Sequence, residues 1–185
     1  MSSKDLLENV KKLREITGVG FKDCKLAIDE TNGDLDKAVE FLRKKGIAKA
    51  SNKMSRTASE GLCIVETKDG EVSLIEINSE TDFVAKNKEF ISFCKEVSEI
   101  NFNNKADLIK VNKSTMKNNL TVETNLIDLI AKIGEKITIR RAIYFDKKDG
   151  ENYFYIHGAL DSNIGKIVSI VKTSEKDSNE IAKKI

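Results

Sequence analysis

The spacing of the apolar residues changes near residue 60, and this change constrains the fold more than any other feature. Before it, apolar residues recur at helical intervals over residues 5–16, 22–30 and 35–45. After it, they alternate on both sides of Lys68-Asp69-Gly70, which is the pattern of a β-hairpin. The sequence therefore predicts a small helical module followed by a part that contains a sheet.

The three predicted helices are separated by turn signals. Asp34 offers a side-chain oxygen that can cap the third helix, and Gly46 is placed to stop that helix. We therefore expect residues 1–46 to form a three-helix module and residues 47–60, whose charges are basic until Glu60, to form a linker.

The part of the chain after residue 60 contains apolar residues at both helical and alternating spacing. Helical spacing returns around Phe90 and again before Gly134, and strands are predicted over residues 136–145, 153–160 and 164–172. The predicted fold class is α+β, with an antiparallel sheet and packed helices. We expect two subdomains, residues 61–145 and 146–185, the second incomplete because an apolar pattern is still under way at Ile185.

Composition narrows the class of protein. The net charge is +2, so no global field draws the chain to nucleic acid or to a membrane. The three cysteines are far apart, which indicates small buried side chains in a reducing compartment. Without an apolar stretch of about 20 residues, the chain is predicted to be cytoplasmic and not membrane-bound.

Candidate groups for catalysis are few. His157 is the single histidine, so no pair of histidines can hold a metal ion, and the scattered cysteines do not match a zinc site. No Gly-x-Ser-x-Gly motif presents a nucleophile. The sequence therefore favours a binding protein over an enzyme, with no catalytic residue, cofactor, bound nucleotide or metal.

Two segments place apolar residues where a loop is usually polar. In Thr17–Phe21, two glycines free the backbone. The apolar side chains of Val19 and Phe21 then lie either in the core of the module or against a partner. In the second segment, Asp82 and Phe83 follow a predicted strand. That segment is either a helix start, with Ser79 and Asp82 at capping-box spacing, or an acidic-aromatic wedge.

Four stretches together resemble the bacterial-type elongation factor Ts family: TGVGFKDCKLAI, NGDLDKAVEFLRKKG, NSETDFVAKN and LIAKIGEKITIRR. Members of that family exchange guanine nucleotide on the GTPase elongation factor Tu. The resemblance implies a short form of the family, with a first module similar to ubiquitin-associated domains. A homodimer is left open.

The resemblance also implies a set of partner-binding residues. The small module would contact the GTPase domain, Asp82 and Phe83 would form a wedge beside its switch region, and Val19 lies in the same contact loop. Apart from Val19 and the wedge, the implied contacts are Arg14, Phe21, Lys25, Ile133, Gly134 and His157. For His157, a structural role at a strand end is an equal alternative.

Two other functions are compatible with parts of the sequence. The first 45 residues would suit a module that binds ubiquitin-like proteins. An RNA-binding accessory protein would use the basic stretch Arg43, Lys44, Lys45, Lys49, Lys53 and Arg56, although no aromatic residues interleave there for base stacking. A solvated linker is therefore favoured, and nucleic-acid binding is not expected.

Overall fold

The computed structural model describes residues 3–174 and 179–184, so the predicted chain end at Ile185 lies outside the described residues. The chain divides into two compact units. The first unit runs up to Arg56 and includes Leu126–Lys136, and the second comprises Thr57–Asn125 and the residues from Ile137 onward. The domain boundaries derived from the sequence stay predictions.

The predicted α+β fold class is confirmed, because groups of helices and groups of strands follow one another along the chain. Along the chain they are α1 (Ser3–Thr17), α2 (Phe21–Glu30), α3 (Leu35–Lys53), β1 (Glu60–Lys68), β2 (Glu71–Ser79), α4 (Asp82–Ala85), α5 (Lys88–Asn103), α6 (Leu108–Lys113), α7 (Val122–Ile133), β3 (Ile137–Phe145), β4 (Glu151–Asp161), β5 (Ile164–Thr173) and α8 (Asn179–Lys184). Within the described ranges, no helix combines the length and apolarity needed to cross a membrane.

The core of the first unit forms where α1, α2 and α3 meet. The predicted cap of α3 is confirmed, because the Asp34 carboxylate accepts a hydrogen bond of 3.0 Å from the Lys37 backbone N–H. The side chains that fill this core are each at most 8% exposed: Val10, Leu13, Cys24, Ala27, Ile28, Ala38 and Leu42. The three predicted helices therefore pack through the apolar stripes seen in the sequence.

The predicted stop at Gly46 is wrong. Helix α3 continues for two further turns to Lys53, so the first half of the expected linker is helical. A Cβ atom at Gly46 would lie 3.2 Å from the Cβ of Ala131. The glycine therefore permits close approach of α7 within the first unit, and does not end the helix.

The second unit is built on a five-stranded antiparallel sheet in the order β3-β2-β1-β5-β4. The predicted hairpin is confirmed, since β1 and β2 pair from Glu60↔Ser79 to Lys68↔Glu71. Asp69 and Gly70 both have positive φ in its two-residue turn, as a type I′ turn requires. One face of β1 and β2 is covered by α5, whose inward side chains are apolar over most of its length.

A half-buried ion cluster joins β2 to β3. A register shift lies between Glu76 and Ile77, and beside it Arg140 Nη1 lies 2.8 Å from Glu76 Oε1 while Arg141 Nε bonds the other carboxylate oxygen. Burial acts to raise the pKa of Glu76, but the hydrogen bonds from Arg140 and Arg141 outweigh it and hold the pKa below its ordinary value. The cluster therefore ties the two strands most strongly when Glu76 is ionised.

We expect Glu76→Gln to lower the free energy of unfolding by about 1–3 kcal/mol at pH 7, since hydrogen bonds to a charged group are lost. Because the folded pKa lies below the unfolded one, the wild-type contribution is complete above the unfolded pKa. It is lost as pH falls through the folded pKa. Urea unfolding at several pH values measures both effects.

The exposed Glu151→Gln variant is the control for this measurement. A difference between Glu76→Gln and wild type that stays constant down to pH 3 would contradict the assignment of the cluster to β2–β3 stability.

Candidate functional site

Phe83 is the most exposed large apolar side chain among the described residues, at 80%. It belongs to α4, a single helical turn that directly follows β2. Its two neighbours Val84 and Ala85 are only 5% and 2% exposed, and α4 packs on β1. The turn therefore buries one side against the sheet and presents an aromatic ring to solvent on the other.

Backbone and side-chain hydrogen bonds fix this turn. Ser79 Oγ donates to the carbonyl oxygen of Thr81 at 3.0 Å, and the backbone N–H groups of Lys86 and Asn87 donate to Phe83 and Val84 at 3.2 and 2.9 Å. The turn is thus held at both ends.

The predicted helix start is confirmed, but the predicted capping box is wrong. Thr81 occupies the N-cap position of α4, and its side chain makes no capping bond to the helix. The residue that caps the longer helix α5 is Asn87, whose Oδ1 accepts from the N–H groups of Glu89 and Phe90. Ser79 is the last residue of β2, two positions before the N-cap, and its hydroxyl donates to the carbonyl of Thr81 instead.

Asp82 lies beside Phe83 and is paired within the same turn. Lys86 Nζ lies 2.7 Å from Asp82 Oδ2. This hydrogen bond lowers the pKa of Asp82, so the carboxylate is ionised at neutral pH. Because both side chains are exposed, the pair adds little to stability and can exchange partners readily. The structure therefore places a negative charge and an aromatic ring side by side on a supported turn.

His157 lies on the hairpin formed by β4 and β5 and is exposed. Its Cα partner on β5 is Ile167, which is 63% exposed, and the ring of Tyr155 lies 6.5 Å from the imidazole ring. Sequence reasoning assigned Ile167 to a strand and missed its exposure. Only the pairing register, which the sequence does not specify here, shows that Ile167 and His157 share a face.

The loop between α1 and α2 separates its two apolar residues. Val19 packs against the core of the first unit, and its carbonyl accepts a hydrogen bond from Cys24 Sγ at 3.4 Å. Phe21 is 45% exposed. Val19 is therefore the more enclosed of the two residues, and a partner contact stays a prediction for both Val19 and Phe21.

The remaining predicted contacts also lie in the first unit. Arg14 and Lys25 are exposed. Ile133 is half-buried at the end of α7, and Gly134, with φ of 86°, ends the helix as predicted. The side chain of Lys132 passes so close to Gly18 that a Cβ atom there would overlap it. The end of α7 and the α1–α2 loop are therefore neighbours.

The cysteines offer little nucleophilic character. Cys24 and Cys94 are buried as predicted, whereas Cys63 is half-buried. Burial raises the pKa of all three thiols, that of Cys63 to about 11, so they are protonated at neutral pH. Over the described part of the chain, no three His, Cys, Asp or Glu side chains form a group that could hold a metal ion.

Comparison with known proteins supplies the family. The family model described as Elongation factor TS matches residues 80–185. The chain is 42% identical over 173 residues to Elongation factor Ts of Methylorubrum populi and 44% identical over 170 residues to that of Methylorubrum extorquens strain PA1. These alignments cover 93% and 91% of the chain but 56% of each relative, so the chain spans about half their length. The resemblance seen in the sequence is thus confirmed, and the chain belongs to the elongation factor Ts family.

Proposed function

We propose that the chain promotes release of GDP from the GTPase elongation factor Tu, and that it does so by binding alone. The observation that carries the proposal is the supported turn that presents Asp82 and Phe83, since Phe83 is 80% exposed while its neighbours are buried. Membership of the elongation factor Ts family supports the choice of partner. No acid, base or metal of this chain is required.

The proposed wedge acts on the part of the GTPase that holds the phosphates. There, GDP is bound by backbone N–H groups and by Mg²⁺, so a group that disturbs the metal weakens the whole nucleotide site. The ring of Phe83 would enter an apolar pocket beside that site. The Asp82 carboxylate would compete for polar groups near the metal, and its exposed bond to Lys86 can be exchanged at small cost.

Rigid support is what makes such a wedge effective. Interface residues that are already ordered lose little conformational entropy when they bind. Val84 and Ala85 anchor the turn, and the N–H of Lys86 bonds back to Phe83. The ring is therefore presented without prior folding of the segment.

Nucleotide release follows from thermodynamic linkage, since the GTPase binds both the nucleotide and this chain. A factor that binds the nucleotide-free GTPase more tightly than the loaded GTPase lowers the affinity for nucleotide by the same ratio. Each tenfold difference corresponds to about 1.4 kcal/mol. Binding free energy in the empty state is thus the source of nucleotide release.

Further contacts of each unit would add to the affinity for the GTPase. On the second unit, His157 and Ile167 offer an exposed patch. On the first unit, we propose the exposed residues Phe21, Arg14 and Lys25, with the end of α7 at Ile133 and Gly134 as another contact. Val19 would support this surface from the core.

Truncation of the wedge tests the proposal. Phe83→Ala is expected to slow catalysed GDP release at least tenfold, because a buried aromatic anchor contributes about 2 kcal/mol or more to an interface. The fold should stay intact, since the ring is 80% exposed. Release of fluorescent GDP from purified elongation factor Tu measures the rate, and thermal unfolding checks the fold.

Ile109→Ala is the matched control, because Ile109 is 71% exposed on α6 and has no proposed contact. If Phe83→Ala and wild type occupy the GTPase equally and GDP is released at the same rate, the proposed role of the wedge is wrong.

The two apolar residues of the α1–α2 loop should separate into a binding and a stability effect. We expect Phe21→Ala to weaken the complex with nucleotide-free GTPase about tenfold while thermal stability is retained. Val19→Ala should lower the melting temperature instead, since Val19 packs against the core. Calorimetry of binding and unfolding measures both. If Phe21→Ala destabilises the fold without loss of affinity, the contact role is wrong.

A further inference from the structure

The inward stripe of α5 becomes polar at one end. Phe90, Cys94 and Val97 follow one another along this stripe, and all three are 0% exposed. The next position on the same stripe is Asn101, and Ser98 lies beside it one turn from Cys94. Both polar residues are also 0% exposed. The apolar contact between α5 and the sheet therefore ends in two buried polar side chains.

The facing strand shows the same change. On β2, Ile77 and Ile75 are fully buried on the α5 side, and the next residue on that side is Ser73, also 0% exposed. Helix α5 begins near the end of β2 and runs back along the sheet. The polar ends of the two elements are thus expected to meet.

One ring contact and one electrostatic effect place the end of α5 near Ser73. The Cα partners of Ser73 are Glu66 on β1 and Tyr144 on β3. The ring of Phe102, the residue after Asn101, lies 5.7 Å from the ring of Tyr144. On the other side, burial and then the negative charge of Glu99 raise the pKa of Glu66. Neighbours of Ser73 on both sides therefore face the last turns of α5.

Four polar atoms of these three side chains have no hydrogen-bond partner among the described residues. They are Ser73 Oγ, Ser98 Oγ, Asn101 Oδ1 and Asn101 Nδ2. Leaving even one such atom unsatisfied in an apolar interior costs roughly 1–3 kcal/mol. Buried polar groups in folded proteins are therefore nearly always bonded to protein or to ordered water.

We propose that Ser73, Ser98 and Asn101 form a binding site for an ordered internal water molecule between α5 and the sheet. The set suits water because it combines amide and hydroxyl donors with amide and hydroxyl acceptors, and an internal water typically makes about three hydrogen bonds. These three side chains carry no charge, which favours water over an ion. The water would join the end of α5 to β2 where apolar packing stops.

The number of long-lived internal waters tests the site. Oxygen-17 relaxation dispersion of the intact chain counts them, and about one per 27 residues is usual. We expect Asn101→Leu to remove one such water and the Ser73→Ala/Ser98→Ala double variant to remove one as well. Asn103→Leu, on the exposed side of the same helix, should remove none.

Equal counts in wild type and in the folded variants would overturn the proposal. If the variants fail to fold, a crystal structure of the wild-type chain at about 1.5 Å resolution decides. A density peak within hydrogen-bond distance of at least two of the three side chains supports the site. Direct pairing of Asn101 with either serine, without such a peak, refutes it.

Discussion

The burial of Val84 and Ala85 against the β1–β2 hairpin is the interaction on which the exposed position of Phe83 depends. Because these two side chains are inside, the single turn of α4 has one fixed orientation, and Phe83 must point to solvent. A phenylalanine in a mobile loop would have to be ordered when it binds. The conformational entropy lost in that step would weaken the complex. The packing of α4 on the sheet and on α5 thus fixes the exposed position of Phe83.

The sequence predicts most of the architecture because apolar periodicity is strong in both units. The three helices, the hairpin and the later strands follow directly from it, and Asp34 was identifiable as a cap. Gly46 and Ser79 show where local rules fail. Gly46 lies inside α3 at a close approach to Ala131, which is far away in sequence. Ser79 is the last residue of β2 and lies two positions before the N-cap Thr81, whose carbonyl it bonds.

Only part of the candidate site can be predicted from the sequence. Asp82 and Phe83 stand out because an acidic and an aromatic residue follow a strand, and family resemblance adds their proposed role. Ile167 could not be found from sequence, since its exposure beside His157 depends on the register of β4 with β5. Val19 and Phe21 look alike in the sequence, and only packing separates the one inside from the one outside.

We propose that the chain binds the empty form of the GTPase more tightly than the GDP-bound form. Titration calorimetry of the chain with elongation factor Tu over a series of GDP concentrations tests this most directly. We expect the Kd of the chain for the GTPase to rise in proportion to the GDP concentration once the nucleotide site begins to saturate. An affinity that is the same with and without GDP would contradict it.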